Sequence, residues 1–110
     1  MQKLWENANP TSAFAGQRVS VSITDYDLIM VCAKWFYSAT TIKSIIIPTG
    51  DNLEIEFAIP RTDGALVARR YATAGNNSIT FSDGVSATGN TASTTNNDVC
   101  IPVKIYGIKL

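Results

Sequence analysis

The segment LEIEFAI, Leu53–Ile59, decides how this chain folds. Its apolar residues alternate with Glu54 and Glu56. Because successive side chains of a β-strand point to opposite faces, the alternation predicts a strand with one buried face and one wet face. The segment RVSVSIT, residues 18–24, repeats the pattern with serine and threonine in most of the wet positions. The sequence therefore favours an all-β protein.

Five further segments are typical of strands, and residues that favour turns separate them. They are LIMVCAKWFY (28–37), IKSIIIP (42–48), ALVARRYATA (65–74), NSITFSD (77–83) and VCIPVKIYGI (99–108). The first of these begins with consecutive apolar residues, which indicates a central strand covered on both faces. Pro102 lacks an amide donor, so its strand is predicted to lie at a sheet edge or to contain a bulge. We predict a single antiparallel β-sandwich, jelly-roll-like, with about seven or eight strands.

The chain of 110 residues has the length of one domain, residues 1–110. Residues 1–17 are predicted to form an extended N-terminal segment. Its Trp5 and Phe14 should pack against the sandwich, because large aromatic side chains are costly to leave in water. Residues 84–98 contain almost only Ser, Thr, Asn, Gly and Ala besides Val85 and Asp98, and predict a long polar loop that projects from the sandwich.

Five side chains of this stretch are neutral hydrogen-bonding groups that suit contact with a sugar or with a neighbouring subunit. They are Asn90, Thr91, Thr95, Asn96 and Asn97. The alternative is that the stretch is only a mobile connector between two strands.

A second candidate site is the run Arg69-Arg70-Tyr71. A basic pair beside an aromatic ring suits a phosphate or an acidic sugar. A strand would place Arg69 and Arg70 on opposite faces, however, so the alternative is that each pairs with a scattered carboxylate. Residues 35–37, WFY, have a similar pair of interpretations, as a stacking surface for sugars or as part of the core.

The residues for catalysis are largely missing from this sequence. It contains no histidine and no metal-binding cysteine spacing, which removes the commonest general base and most zinc sites. Glu54 and Glu56 could serve a glycosidase, but they share the wet face of one strand, where solvated charges are the simpler interpretation. Cys32 and Cys100 are expected to be buried thiols. We therefore predict no enzymatic activity and no cofactor.

Composition and charge indicate which partners to expect. Nine basic residues balance nine acidic ones, so neither nucleic acid nor a membrane is predicted to bind. The apolar runs are too short for membrane insertion, and the first residues lack the order of a signal peptide, which predicts synthesis in the cytoplasm. A hydrophobic fraction of 45% with only 16% charged residues favours a homo-oligomer that hides one face of the sandwich.

A set of features brackets nearly the whole chain: Leu4-Trp5, Asn7, Pro10-Thr11-Ser12, Phe14, Gln17, Tyr26-Asp27 and Ile105-Tyr106-Gly107-Ile108-Lys109. In their order they resemble a small β-sandwich module of tail, baseplate and fibre proteins of bacteriophages and prophages of Gram-positive bacteria. The resemblance implies a non-enzymatic part of the virion tail, made in the bacterial cytoplasm and acting in assembly or in host-surface attachment. It also implies a homo-oligomer, with a trimer favoured. Its partners would be other virion proteins, with a host cell-surface glycan as a further candidate.

Two other functions are compatible with the residues. The first alternative is a free carbohydrate-binding module, and a small glycosidase ranks well below it. An oligomer in solution favours the virion part, whereas a monomer that binds a glycan favours the free module.

Overall fold

A computed structural model, which describes residues 1–62 and 64–110, confirms the predicted all-β sandwich. Two antiparallel sheets pack together around one apolar core, and the described residues contain no helix. The ten strands are β1 (Gln2–Glu6), β2 (Gln17–Ser20), β3 (Leu28–Phe36), β4 (Ile42–Pro48), β5 (Leu53–Arg61), β6 (Gly64–Ala74), β7 (Ser78–Phe81), β8 (Val85–Thr88), β9 (Thr94–Thr95) and β10 (Val99–Ile108).

The first sheet has the strand order β1-β10-β3-β4. The second sheet is organised around the long strand β6. One edge of β6 pairs with β5 along most of its length. The other edge is shared, since residues 66–69 pair with β8 and residues 72–74 pair with β7. Strand β2 extends the sheet beyond β7, and β9 extends it beyond β8.

The strands predicted from periodicity agree closely with the observed ones. Alternation in LEIEFAI buries Leu53 and Ile55 and exposes Glu54 and Glu56, as expected. In RVSVSIT the strand ends at Ser20, although the buried and exposed positions continue to alternate through residue 23. The chain has more strands than the predicted seven or eight, because β1 lies in the N-terminal segment and β8 and β9 lie in the polar stretch.

The prediction of one long loop over residues 84–98 is wrong. Strand β8 pairs with the free half of the β6 edge and β9 pairs with β8, so the stretch is a hairpin whose tip is residues 89–93. Gly89, with a φ of 59°, begins this tip. A strand laid on an existing edge gains its backbone hydrogen bonds from that edge, so it needs no large apolar side chain to hold it.

The N-terminal segment is extended and lies against the sandwich. Strand β1 pairs with β10, and Phe14 is buried with its ring centroid 5.6 Å from that of Phe81 and 6.1 Å from that of Trp5. Trp5 itself is only half-buried. The bulge expected near Pro102 is present in β10, and the Asn7 side chain donates to the Pro102 carbonyl across 2.8 Å.

The core is formed by the inward residues of both sheets. Seventeen buried apolar residues form a single cluster in the described part of the chain. Phe36 and Tyr37 pack against it, which favours the core interpretation of the WFY segment. The thiols of Cys32 and Cys100 are both free and buried.

One carboxylate joins the beginning of β2 to the end of β7, and its charge makes the fold sensitive to acid. An Asp83 carboxylate oxygen accepts a hydrogen bond from the Gly16 amide at 2.7 Å. This bond, with a second one from the Asn97 side chain, holds the pKa of Asp83 below its ordinary value. The folded state therefore binds a proton at Asp83 less readily than the unfolded state does.

The stabilisation from Asp83 is expected to be complete above about pH 4 and to disappear as the pH falls through the lowered pKa. Asp83→Asn keeps an oxygen for the Gly16 amide but cannot titrate. The free energies of unfolding of the two proteins, measured in urea at several pH values, should therefore differ most near neutrality and converge in acid. A constant difference down to about pH 2 would contradict the prediction.

Candidate functional site

Arg69 and Arg70 lie on opposite faces of β6, as the strand alternation predicts. Arg70 is fully buried between the sheets. Its guanidinium donates three hydrogen bonds to backbone carbonyls, from Nε to Cys100 at 2.9 Å, from Nη1 to Ser82 at 2.7 Å and from Nη2 to Val99 at 3.0 Å. The prediction of Arg70 as a ligand contact is therefore wrong, because its donors are occupied within the fold.

The surroundings of Arg70 explain why a charge is tolerated there. Burial lowers the pKa of Arg70 to about 10, which leaves the guanidinium protonated at neutral pH. The Phe14 ring lies 5.2 Å from the guanidinium carbon, a favourable cation–π distance. Cys100 has a φ of 54°, in the left-handed region, and burial raises the pKa of its thiol to about 12. Arg70 thus joins β6 of one sheet to β10 of the other.

Three predicted contact residues of the hairpin also make hydrogen bonds within the fold. The Asn96 side chain donates to the Ser86 hydroxyl at 3.0 Å and accepts from the Asp98 amide. The Asn97 side-chain oxygen accepts from the Gly84 amide at 3.0 Å. These bonds give Asn96 and Asn97 a structural role, and their roles as ligand or subunit contacts stay predictions.

The hydroxyl of Thr91 is also occupied. It donates to the Thr88 carbonyl at 2.7 Å and accepts from the Thr88 amide, so it closes the hairpin tip, and its role as a ligand or subunit contact stays a prediction. Asn90 and Thr95 are exposed and make no side-chain hydrogen bond to any residue that the structure describes.

A shallow groove of about 160 Å³ lies on the outer face of the second sheet. Its floor is formed by Val67 and Arg69 of β6, and one wall by Glu54 and Glu56 of β5. The opposite wall comes from the hairpin and consists of Val85, Ser86, Ala87 and Ser93. The structure therefore brings Arg69 and the polar stretch together, although the hairpin residues at the groove are not those that the sequence suggested.

The charges in this groove are only loosely paired. The Arg69 Nε lies 4.0 Å from a carboxylate oxygen of Glu54, and both side chains are about two-fifths exposed. Nε itself is buried and donates to no acceptor among the described residues. Glu56 lies opposite Arg69 in the strand register and forms no ion pair within residues 1–62 and 64–110. The exposed Tyr71 ring stacks 4.9 Å from the Arg69 guanidinium carbon.

The outer face of the first sheet differs sharply from this charged surface. Met30 lies between Tyr106 and Ile46 in the register, and Leu28 lies between Ile108 and Pro48. Six outward residues of these strands define the apolar face: Leu28, Met30, Ile42, Ile46, Tyr106 and Ile108. The expectation that both faces of β3 are covered is met on the core side and in part on the outward side, where Cys32 and Lys34 are buried and Leu28 and Met30 are partly exposed.

A second depression of about 330 Å³ lies along the N-terminal segment. Trp5 and Phe14 contribute to its lining, together with Asn7 and Gln17. The side chains of Asn7 and Gln17 hydrogen-bond to backbone groups, so fewer free polar groups converge here than in the groove.

The described residues offer neither a group of metal ligands nor a membrane-spanning helix. Within the described parts of the chain, no three His, Cys, Asp or Glu side chains are grouped so that they could hold a metal ion. None of the described residues belongs to a helix long and apolar enough to cross a membrane.

Comparison of the chain with protein families, with curated proteins and with solved structures finds no match.

Proposed function

We propose that this protein is a non-enzymatic structural part of a bacteriophage or prophage tail, baseplate or fibre, and that it assembles into a homo-oligomer through the apolar face. The observation that carries the proposal is the exposure of large aliphatic side chains on an ordered sheet. Ile46 is 54% exposed and Ile42 is 47% exposed. Burying such side chains in an interface stabilises the assembly by about 25 cal/mol for each Å² of apolar surface removed from water.

The size of the apolar face supports an interface. Three strands about 4.8 Å apart, over about 20 Å of their length, give it a projected area of roughly 300 Å². Contiguous apolar patches of this order often mark interaction sites on soluble proteins. The occupant is a second copy of the chain, since the rows of the register at Leu28 and Met30 carry no charged residue on β3, β4 or β10, and like faces can meet there without repulsion. A trimer is favoured by the resemblance to tail proteins.

The edges of the sheets favour contact through a face instead of strand addition. Lys43 of β4 donates to the backbone carbonyl of Glu56 at 2.8 Å, so it occupies an acceptor on the free edge of β5. Pro60 removes a donor from the same edge, and Pro48 removes one at the end of β4. Both edges on this side of the sandwich are therefore poor templates for another strand.

The test is the mass of the protein in solution. Light scattering after size-exclusion chromatography should give a multiple of the chain mass of 11.9 kDa, three times that value for a trimer. Ile46→Lys places a charge within the apolar face, beside Met30, and should give a monomer, because a buried unpaired charge is far more costly than a buried isoleucine.

The matched control is Val67→Lys, since Val67 is 43% exposed on the other sheet. It should leave the mass unchanged. A monomeric parent protein at high concentration, or equal behaviour of the two variants, would refute assembly through the apolar face.

Membership of a virion needs a separate measurement. Particles induced from the bacterium that carries the gene should contain the chain at a fixed ratio to the other tail proteins, as measured by mass spectrometry. Absence of the chain from purified particles would refute the virion role.

The alternative function, a free carbohydrate-binding module, is favoured by one specific observation. The groove on the second sheet combines the apolar side chains of Val67, Val85 and Ala87 with charged groups that make no hydrogen bond within the described fold, as sugar sites commonly do. A monomer that binds a glycan and is absent from virus particles would support this alternative.

A further inference from the structure

The groove contains hydrogen-bonding capacity that the fold does not use. The distance of 4.0 Å between Arg69 Nε and Glu54 is too long for a hydrogen bond, and the Arg69 side chain makes no other hydrogen bond to a described residue. The exposed part of its guanidinium and the Glu54 carboxylate are therefore both available. Glu56 adds a second carboxylate without an ion-pair partner among the described residues. Nε itself is shielded from solvent, so the donors of Arg69 that a ligand oxygen can reach are the terminal amino groups of the guanidinium.

We propose that this groove binds one ring of an uncharged sugar through a pair of adjacent hydroxyl groups. A hydroxyl group can donate a hydrogen bond to Glu54 or Glu56 and accept one from Arg69, which satisfies both kinds of group at once. The inference goes beyond the proposed assembly role and concerns the opposite face of the sandwich.

Charge selects against the two other classes of small polar ligand. An anionic ligand would meet two carboxylates for one guanidinium, and a cationic ligand would be repelled by the Arg69 guanidinium, which shares the groove with both carboxylates. A neutral ligand with both donors and acceptors has neither cost.

The shape of the groove agrees with this ligand. A volume of about 160 Å³ is smaller than the 300–1,000 Å³ of sites for drug-sized molecules, so it suits one ring. Val67, Val85 and Ala87 supply apolar surface for the C–H groups of the ring. Tyr71 is 46% exposed beside Arg69 and extends this surface toward a second ring.

The experiment is a titration of the 15N-labelled protein, followed by the amide and Arg Nε resonances. The probes are methyl glycosides of glucose, galactose and mannose as neutral rings, glucuronate as the anion and glucosamine as the cation. At least one neutral ring should shift the signals of Arg69, Val67 and Val85, with a Kd on the order of millimolar. Glucuronate and glucosamine should bind at least about tenfold more weakly.

Variants of the full chain connect the shifts to the groove. Arg69→Met should weaken binding by about tenfold or more, because a charge-assisted hydrogen bond is lost. Arg18→Met is the matched control, since Arg18 is an exposed arginine of the same sheet that lies outside the groove. Ile46→Lys should bind normally, so a failure of assembly and a failure of sugar binding are distinguishable.

Three results would overturn the inference. The first is no shift at the groove with any neutral ring up to about 50 mM. The second is equal or tighter binding of glucuronate or glucosamine. The third is unchanged binding by Arg69→Met.

Discussion

Arg70→Ala is expected to lower the free energy of unfolding by about 3–5 kcal/mol, because it removes three charge-assisted hydrogen bonds inside the fold. The guanidinium donates to the carbonyls of Cys100, Ser82 and Val99, and all three lose this donor when the side chain is cut back. Total stabilities of domains are about 5–15 kcal/mol, so the variant should lose a large part of its free energy of unfolding.

The measurement is urea denaturation followed by tryptophan fluorescence. Arg70→Lys should recover little of the loss, because a single ammonium group cannot reach three carbonyls in the planar geometry of a guanidinium. Arg69→Ala is the control on the outward face of the same strand, and it should change stability by less than about 1 kcal/mol. Equal stabilities of the Arg69→Ala and Arg70→Ala variants would contradict the structural role of Arg70. If Arg70→Ala does not fold, the stability of Arg70→Lys is compared with that of Arg69→Ala instead.

Phe14→Ala is expected to cost about 3–5 kcal/mol, which is the usual cost of removing a buried phenylalanine ring. Phe14 is 6% exposed and lies between Trp5, Phe81 and the Arg70 guanidinium. The substitution should also expose the side chain of Arg70 to water, which adds to the cavity.

Phe14→Leu keeps most of the apolar volume and should cost clearly less, while the loss of the ring removes the cation–π contact. Trp5→Ala should likewise cost less than Phe14→Ala, because Trp5 is only half-buried. A double-mutant cycle between Phe14 and Arg70 should give a coupling of about 0.5–3 kcal/mol. Additive effects of the two substitutions would show that the ring and the guanidinium act independently.

Local alternation made most of the strands predictable. The sequence LEIEFAI has only one assignment that buries its aliphatic residues and exposes Glu54 and Glu56, and the structure has that assignment. The opposite orientations of Arg69 and Arg70 follow from the same period of two. The alternation also contained a signal for the burial of Arg70, because Arg70 is in phase with the inward residues Leu66 and Ala68.

The polar stretch was not predictable in this way. Residues 84–98 carry almost no periodic apolar signal, and β8 is ordered by the exposed edge of β6, which lies about 20 residues away in the chain. Asn96, Asn97 and Thr91 satisfy backbone groups within the same hairpin, a structural role that the sequence did not reveal. Amide and hydroxyl side chains look alike in sequence whether they bond to a ligand or to the chain itself.

Two surfaces depend on how distant strands come together. The apolar face needs β3, β4 and β10 side by side, which places Met30 between Tyr106 and Ile46. The groove needs β5, β6 and β8 in one sheet, which places Glu56 and Val85 on either side of Arg69. Hydrophobic alternation is a local property and determined that this chain forms strands with one buried face. Strand order and register are set by contacts between residues far apart in the chain, and they alone determine which outward side chains meet.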